Sequence, residues 1–297
     1  MNKPLFVAGF VDGASAGDYR LLAPAHVPLA LARLALAATW LAALYCGWGD
    51  GSLPDFAAWS AALWSGLALV SALWLTPRVF TLGYLVSLLG FLIAWRVAAM
   101  NGALILMGVA SLAAVVLVLQ FIDCMASDWR RNQARQGAWL GTLLWQMTLV
   151  RLYFGLNELG HATEKLFAGL GSFHTLEHGF QGFGITHGAG LFVVLGGLIE
   201  LASGISVGLG LFARLGALLS VVYFLVATLG FGGEWARGYA WASPGGGGWE
   251  YVMMLLVVFG SVMMTGAGKF SIDGWLLQRG VLPQWLVRCC TNRAALT

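Results

Sequence analysis

This 297-residue chain predicts an all-α membrane protein: eight transmembrane helices arranged as two tandem four-helix bundles, with the N- and C-termini cytoplasmic. Three observations predict it. Hydrophobic residues make up 59% of the chain and charged residues only 10%, against about 25% charged in a soluble domain. The mean hydropathy is +0.80, and the apolar character is spread over the whole length rather than confined to one block. Finally, eight separate segments are long enough to cross a bilayer, which takes about 20 mostly apolar residues.

The eight segments are 27–48, 57–77, 79–99, 102–122, 138–159, 189–211, 212–232 and 249–268. Thr76-Pro77-Arg78 leaves only a tight turn between the second and third, and the sixth and seventh meet near Phe212-Ala213-Arg214. The bias of Lys and Arg between loops sets the orientation. A cytoplasmic N-terminus puts eleven cations inside (Lys3, Arg20, Arg78, Arg130, Arg131, Arg135, Arg214, Lys269, Arg279, Arg288, Arg293) and three outside (Lys165, Arg237 and Arg96). The chain is therefore expected to cross its membrane several times, with the lipid bilayer as the main partner. The N-terminal MNKPLFVAGFVDGASAGDYR makes a poor signal peptide, its apolar run being too short, so the first span itself is expected to target the chain.

A net charge of +3 without a basic block argues against nucleic acid as a partner. Cys46, Cys124, Cys289 and Cys290 form no C-x-x-C, which argues against a disulfide scaffold or a dithiol centre. The fourteen tryptophans sit largely near span ends, as an interfacial belt would.

The halves read as a degenerate duplication in parallel orientation. Leu31-Ala-Arg33-Leu34 is echoed by Leu149-Val-Arg151-Leu152, and Leu75-Thr-Pro-Arg78 by Leu211-Phe-Ala-Arg214. The expected organisation is a cytoplasmic segment 1–26, a degenerate repeat 27–125, a basic linker 126–137, a second repeat 138–275 with a His-rich outer loop 160–187, and a tail 276–297. Counted from the shared arginines, Glu158 corresponds to Trp40 and Glu200 to Trp64. The first half thus lacks the acidic groups and reads as scaffold.

Residues 157–187, NELGHATEKLFAGLGSFHTLEHGFQGFGITH, hold four of the five histidines. Ionisable residues at a bilayer are costly and mark functional sites. Arg151, Glu158 and Lys165 recur every seven residues, with His161 three beyond Glu158. A helix continuing through Gly160 would align all four. Arg151 lies roughly 12 Å deep and Glu200 roughly 16 Å deep from the same side, so the two are expected to pair, as a structural ion pair or as the floor of an outward-facing cavity. Glu250 opens the last span beside Trp249, either to reach that cavity or to complement the helix dipole. His174-Thr-Leu-Glu177-His178 is similar to the inverted zinc-peptidase signature without that fold's context. It reads either as a zinc or copper site formed by His174 and His178 with a third ligand such as Glu177, His161 or His187, or as part of an amphipathic surface segment with Phe167, Leu170, Phe173, Leu176 and Phe180 in lipid.

Together, Arg151, Gly160 with Lys165-Leu166, Glu200-Leu201 with Gly204, Gly210-Leu211 through Leu218, and Gly266 through Asp273 resemble the DoxX/DoxD family of four-helix membrane proteins over roughly 138–275. That resemblance implies an inner-membrane protein of quinone-linked redox metabolism, its DoxD branch being associated with thiosulfate:quinone oxidoreductase and a periplasmic or membrane partner subunit. The expected activity is a quinone-dependent oxidoreductase subunit. Arg151, Glu158, His161, Lys165 and Glu200 would be the reacting groups, and Arg151, Glu200 and Glu250 would hold the quinone. The alternative is a non-enzymatic membrane protein for metal handling, small-solute transport or complex assembly. The His-rich loop is an addition to the family pattern.

Overall fold

Long apolar stretches without internal proline leave the backbone one way to satisfy its own polar groups in lipid, and the chain takes it. The computed structural model describes residues 16–22, 25–134, 138–240 and 247–291. Lys3, Arg135 and Arg293 of the charge bias lie outside them. Among the described residues the chain is helical and no strand is formed. The helices are α1 (Leu29–Leu44), α2 (Asp55–Val70), α3 (Phe80–Asn101), α4 (Leu104–Asn132), α5 (Ala138–Leu166), α6 (Leu170–Gly182), α7 (Ala189–Ser203), α8 (Ala213–Ala227), α9 (Trp249–Thr265), α10 (Ile272–Arg279) and α11 (Gln284–Cys290). Helices α1, α2, α7 and α8 each run on into a five-residue π turn.

Six helices are long and apolar enough to cross a membrane: Leu29–Gly49, Asp55–Leu75, Phe80–Asn101, Leu104–Asn132, Ala189–Gly208 and Ala213–Gly230. The other two predicted spans differ for separate reasons. Helix α5 carries Arg151, Glu158, Glu164 and Lys165, and α9 has only 17 residues. Large apolar side chains stay exposed along the six, Leu34, Leu63, Trp74 and Leu112 among them. A water-soluble protein would bury such a surface; a bilayer covers it. The molecule is a multi-pass membrane protein.

The chain folds into two compact units. One comprises residues 1–21, 136–155 and 202–297, the other 22–135 and 156–201. These units cut across the expected tandem halves, because 156–201 packs with the first four helices. In that second unit α1 through α4 form the bundle, with α2 against α3 and α1 against α4. Gly102, left-handed at φ 66°, ends α3, a position that favours glycine. In the first unit α8 lies against α9, with Phe224 edge-on to Phe259 at 4.8 Å between centroids.

Candidate functional site

Helix α5 runs unbroken through Gly160 for 29 residues, about 44 Å. Glu158, His161 and Lys165 therefore fall on one face, at i, i+3 and i+7. Opposite them comes Glu200 from α7. Lys165 Nζ lies 2.7 Å from Glu200 Oε2 and donates to Oε1 at 2.9 Å. Both side chains are mostly buried, and Lys165 Nζ also reaches the His161 carbonyl at 3.4 Å. The approach depends on Gly197 in α7: a Cβ there would come within 2.9 Å of Lys165 Cβ and 2.7 Å of Leu166. One turn along from that glycine, Glu200 is in reach of the ammonium.

Glu158 is 2% exposed. It lies within electrostatic reach of His161, Glu200 and Lys165, yet among the described residues its carboxyl makes no hydrogen bond. His161 is about half exposed, its Nδ1 3.9 Å from Glu164 Oε2. Glu164 in turn accepts from Arg96 of α3.

Arg96 and Glu164 were absent from the sequence-derived site. Arg96 had a readable signal, as the only charge within the 22 residues of α3. Other first-half residues surround the same end of α5. Asn101 donates to the Ala168 carbonyl at 2.9 Å, and Trp64 meets Phe167 edge-on at 5.2 Å. The half read as scaffold thus contributes to the unit that holds the site.

The expected Arg151–Glu200 pair is not formed. Glu200 takes Lys165, and Arg151 turns to main-chain carbonyls within the other unit. The guanidinium, 0% exposed, donates from Nε to Ala267 O at 2.7 Å, from Nη1 to Val207 O at 3.2 Å and to Gly208 O, and from Nη2 to Phe270 O. The reason is geometric: a planar fork with five donors can satisfy several converging carbonyls. With four donations made, little of Arg151 remains for a ligand.

The segment Gly266–Asp273 supplies two of the four carbonyls of this cage, and Val207 and Gly208 after α7 the other two. Gly268 (φ +75°) lets the chain lie against α5, since a Cβ would stand 2.5 Å from Leu144 O. Thr148 Oγ1 accepts from Lys269 N at 2.9 Å, and Ser271 caps α10 through Gly274 N. Asp273 accepts from Phe212 N at 2.7 Å and Ala213 N at 2.9 Å, capping α8 where Phe212 is left-handed at φ 51°. Burial pushes the Asp273 carboxyl up to about 6, offset in part by those amides, the Cys290 thiol and Arg151. Burial and Asp273 push the Cys290 thiol up as well.

Glu250 is likewise engaged locally, its Oε1 accepting from Ala240 N and Gly248 N at 3.1 Å each. It closes the turn ahead of α9. The histidines of α6 and the following loop face outward: His174 Nδ1 is 3.0 Å from Glu177 Oε2, His178 Nδ1 3.1 Å from Gln181 Oε1, and His187 Nδ1 3.0 Å from Thr186 Oγ1. Among the described residues, no three of His, Cys, Asp and Glu converge as a metal would need. Of the apolar residues assigned to lipid, Phe180 meets Phe192 of α7 in a tilted contact at 6.0 Å between centroids, and Phe173 faces Gly190.

No curated protein and no solved structure matches the chain. The segment from within α5 to the end of α8 does have a counterpart, narrower than the expected 138–275 and short of the Gly266–Asp273 cage. Residues 146–233 match the DoxX family model, which places a DoxX domain in the second half of this chain.

Proposed function

We propose that the protein is the membrane subunit of a quinone-linked redox system in a bacterial inner membrane, with Glu158, His161, Lys165 and Glu200 as its proton-exchanging site. The observation that carries this reading is Glu158, a carboxyl buried to 2% without a hydrogen bond, beside a buried Lys–Glu pair. A carboxylate held away from water among other charges is costly, and such groups cluster where protons are taken up and released. The topology that suits this reading has α5 and α9 crossing as well, giving eight spans, both termini cytoplasmic and the site toward the outer face.

The donor set fits a quinone headgroup, whose two carbonyl oxygens need donors: Lys165, His161, and Glu158 when protonated. A bound quinone supplies the acceptor for two electrons and two protons. This chain's residues handle the protons. Glu158 holds one on its carboxyl oxygen, and His161, half exposed and steadied by Glu164, exchanges with water. The Lys165–Glu200 pair keeps the pocket's charge balanced. Electrons come from a partner subunit or the donor substrate, since no haem, flavin or iron–sulfur motif is present in the sequence. The resemblance to the DoxD branch makes thiosulfate the first donor to test.

The test compares native protein with Glu158→Gln and Glu200→Gln in native membranes, following thiosulfate-dependent quinone reduction, and measures bound quinone by mass spectrometry after extraction in mild detergent. Quinone that co-purifies, with reduction lost in folded Glu158→Gln, supports the reading. Native rates in both folded variants, or no quinone in the native protein, overturn it.

A further inference from the structure

The first four helices enclose a feature that neither the proton site nor the carbonyl cage uses. Leu29, Ala32 and Leu36 of α1, Ala72 and Thr76 after α2, Tyr84 and Ser87 of α3, and Leu117 and Gln120 of α4 surround a small cavity. It leaves about 10 Å³ for the centre of a bound molecule, at the lower limit of what one water occupies. Gln120 is 1% exposed, and its Nε2 is buried with no hydrogen-bond partner. An amide donor placed so is expensive unless something accepts from it.

The remaining polar groups complement that donor. The Tyr84 hydroxyl gives its proton to Leu117 O at 2.8 Å, Ser87 to Ala68 O at 3.0 Å, and Thr76 to Ser71 O at 3.1 Å. With their protons committed to main-chain carbonyls, the hydroxyls of these lining residues can act there only as acceptors. The wall therefore offers one free donor and several acceptors, with space for one molecule that can both accept and donate. Buried waters make about three such bonds. An apolar guest would leave Gln120 unpaired, and a cation would meet its N–H groups.

We propose that this cavity is a hydration site holding one water, which accepts from Gln120 Nε2 and donates to two of the Tyr84, Ser87 and Thr76 hydroxyl oxygens. The site heads a buried polar seam along α4. Cys124, Asp128 and Asn132 follow Gln120 at four-residue steps, each 6% exposed or less. The seam turns the first bundle's interior into something other than apolar filling, whatever the chemistry at Glu158 proves to be.

Radiolytic footprinting of the intact protein in ¹⁸O-labelled water tests this, because hydroxyl radicals form at bound waters and mark the side chains around them. Tyr84 is 4% exposed and Phe91 of the same helix 1%, so Phe91 is the internal reference. The expected result is severalfold faster labelling of Tyr84 than of Phe91, falling to the reference rate in Gln120→Leu. Gln120→Met is the second variant should Leu not fold; both must melt as cooperatively as the native protein. Equal labelling of Tyr84 and Phe91 in the native protein overturns the proposal, as does Tyr84 labelling that persists in either folded variant.

Discussion

Arg151 and Glu158 sit seven residues apart on one helix, and both are hidden from solvent, at 0% and 2% exposure. Arg151 is saturated, its guanidinium donating to four carbonyls drawn from 207–208 and 267–270. Glu158 makes no hydrogen bond among the described residues and has only the nearby charges of His161, Glu200 and Lys165. Burial of a charge is therefore not by itself a mark of chemistry. A satisfied buried charge holds a fold together, whereas an unsatisfied one keeps capacity in reserve.

The largest effect should come from emptying the cage. Arg151→Met leaves four buried carbonyls short of a donor at about 1–3 kcal/mol each, so stability should fall by more than about 4 kcal/mol, in the exceptional range for a single change. Arg151→Lys should rescue little, because an ammonium lacks the planar fork. Thermal melting in detergent measures both, and near-native stability in either would show that the cage is incidental.

Glu158→Gln should do the reverse. Stability should stay within about 1 kcal/mol, since removing an unbonded charge relieves desolvation, while proton-linked turnover drops by about 10²–10⁴, the usual worth of a general acid or base. A variant that melted early but turned over normally would swap the roles assigned to the two residues.

The Lys165–Glu200 pair lies between these extremes. Lys165→Met and Glu200→Gln should each destabilise by stranding a partner, and the double variant should recover part of the loss. A coupling energy of about 0.5–3 kcal/mol is expected in a double-mutant cycle. Strict additivity would mean that the 2.7 Å contact has no energetic consequence.

The smallest effect is a pH slope within the cage. Burial raises Asp273 from 3.8 to about 6. Between those pH values the folded protein keeps a proton that the unfolded chain has released. Stability therefore falls as pH rises through the window and levels off above about 6. Asp273→Asn should remove that part of the slope, seen by melting the two proteins in parallel from pH 4 to 7. Identical slopes would mean that Asp273 titrates normally despite its burial.

Much of the scaffold was legible beforehand. Six of the eight apolar segments become membrane-length helices, because a stretch of some twenty apolar residues has few other ways to satisfy its backbone. The seven-residue spacing of Arg151, Glu158 and Lys165 aligns them only if the helix continues through Gly160, and the structure meets that condition. The partner of Glu200 did not follow from spacing. Depth along the span favoured Arg151, but depth leaves out rotation about the helix axis. Contact requires the bare surface at Gly197, which brings Lys165 within reach. Arg96 shows the same gap: its isolation in α3 was visible, whereas its partner Glu164 lies 68 residues away.

The sequence by itself determined that this is an all-helical membrane protein, that its buried charges concentrate in the second half, and that residues 146–233 match the DoxX family model. Only the tertiary structure decided which charges are spent and which are kept. It assigned Arg151 to the carbonyls of 207–208 and 267–270, Lys165 to Glu200, and Arg96 with Asn101 to the end of α5. Composition and periodicity report what each helix can bury. Which donor meets which acceptor depends on close approaches between distant segments, and those are set at a few glycines and carbonyls whose positions become visible only in the folded chain.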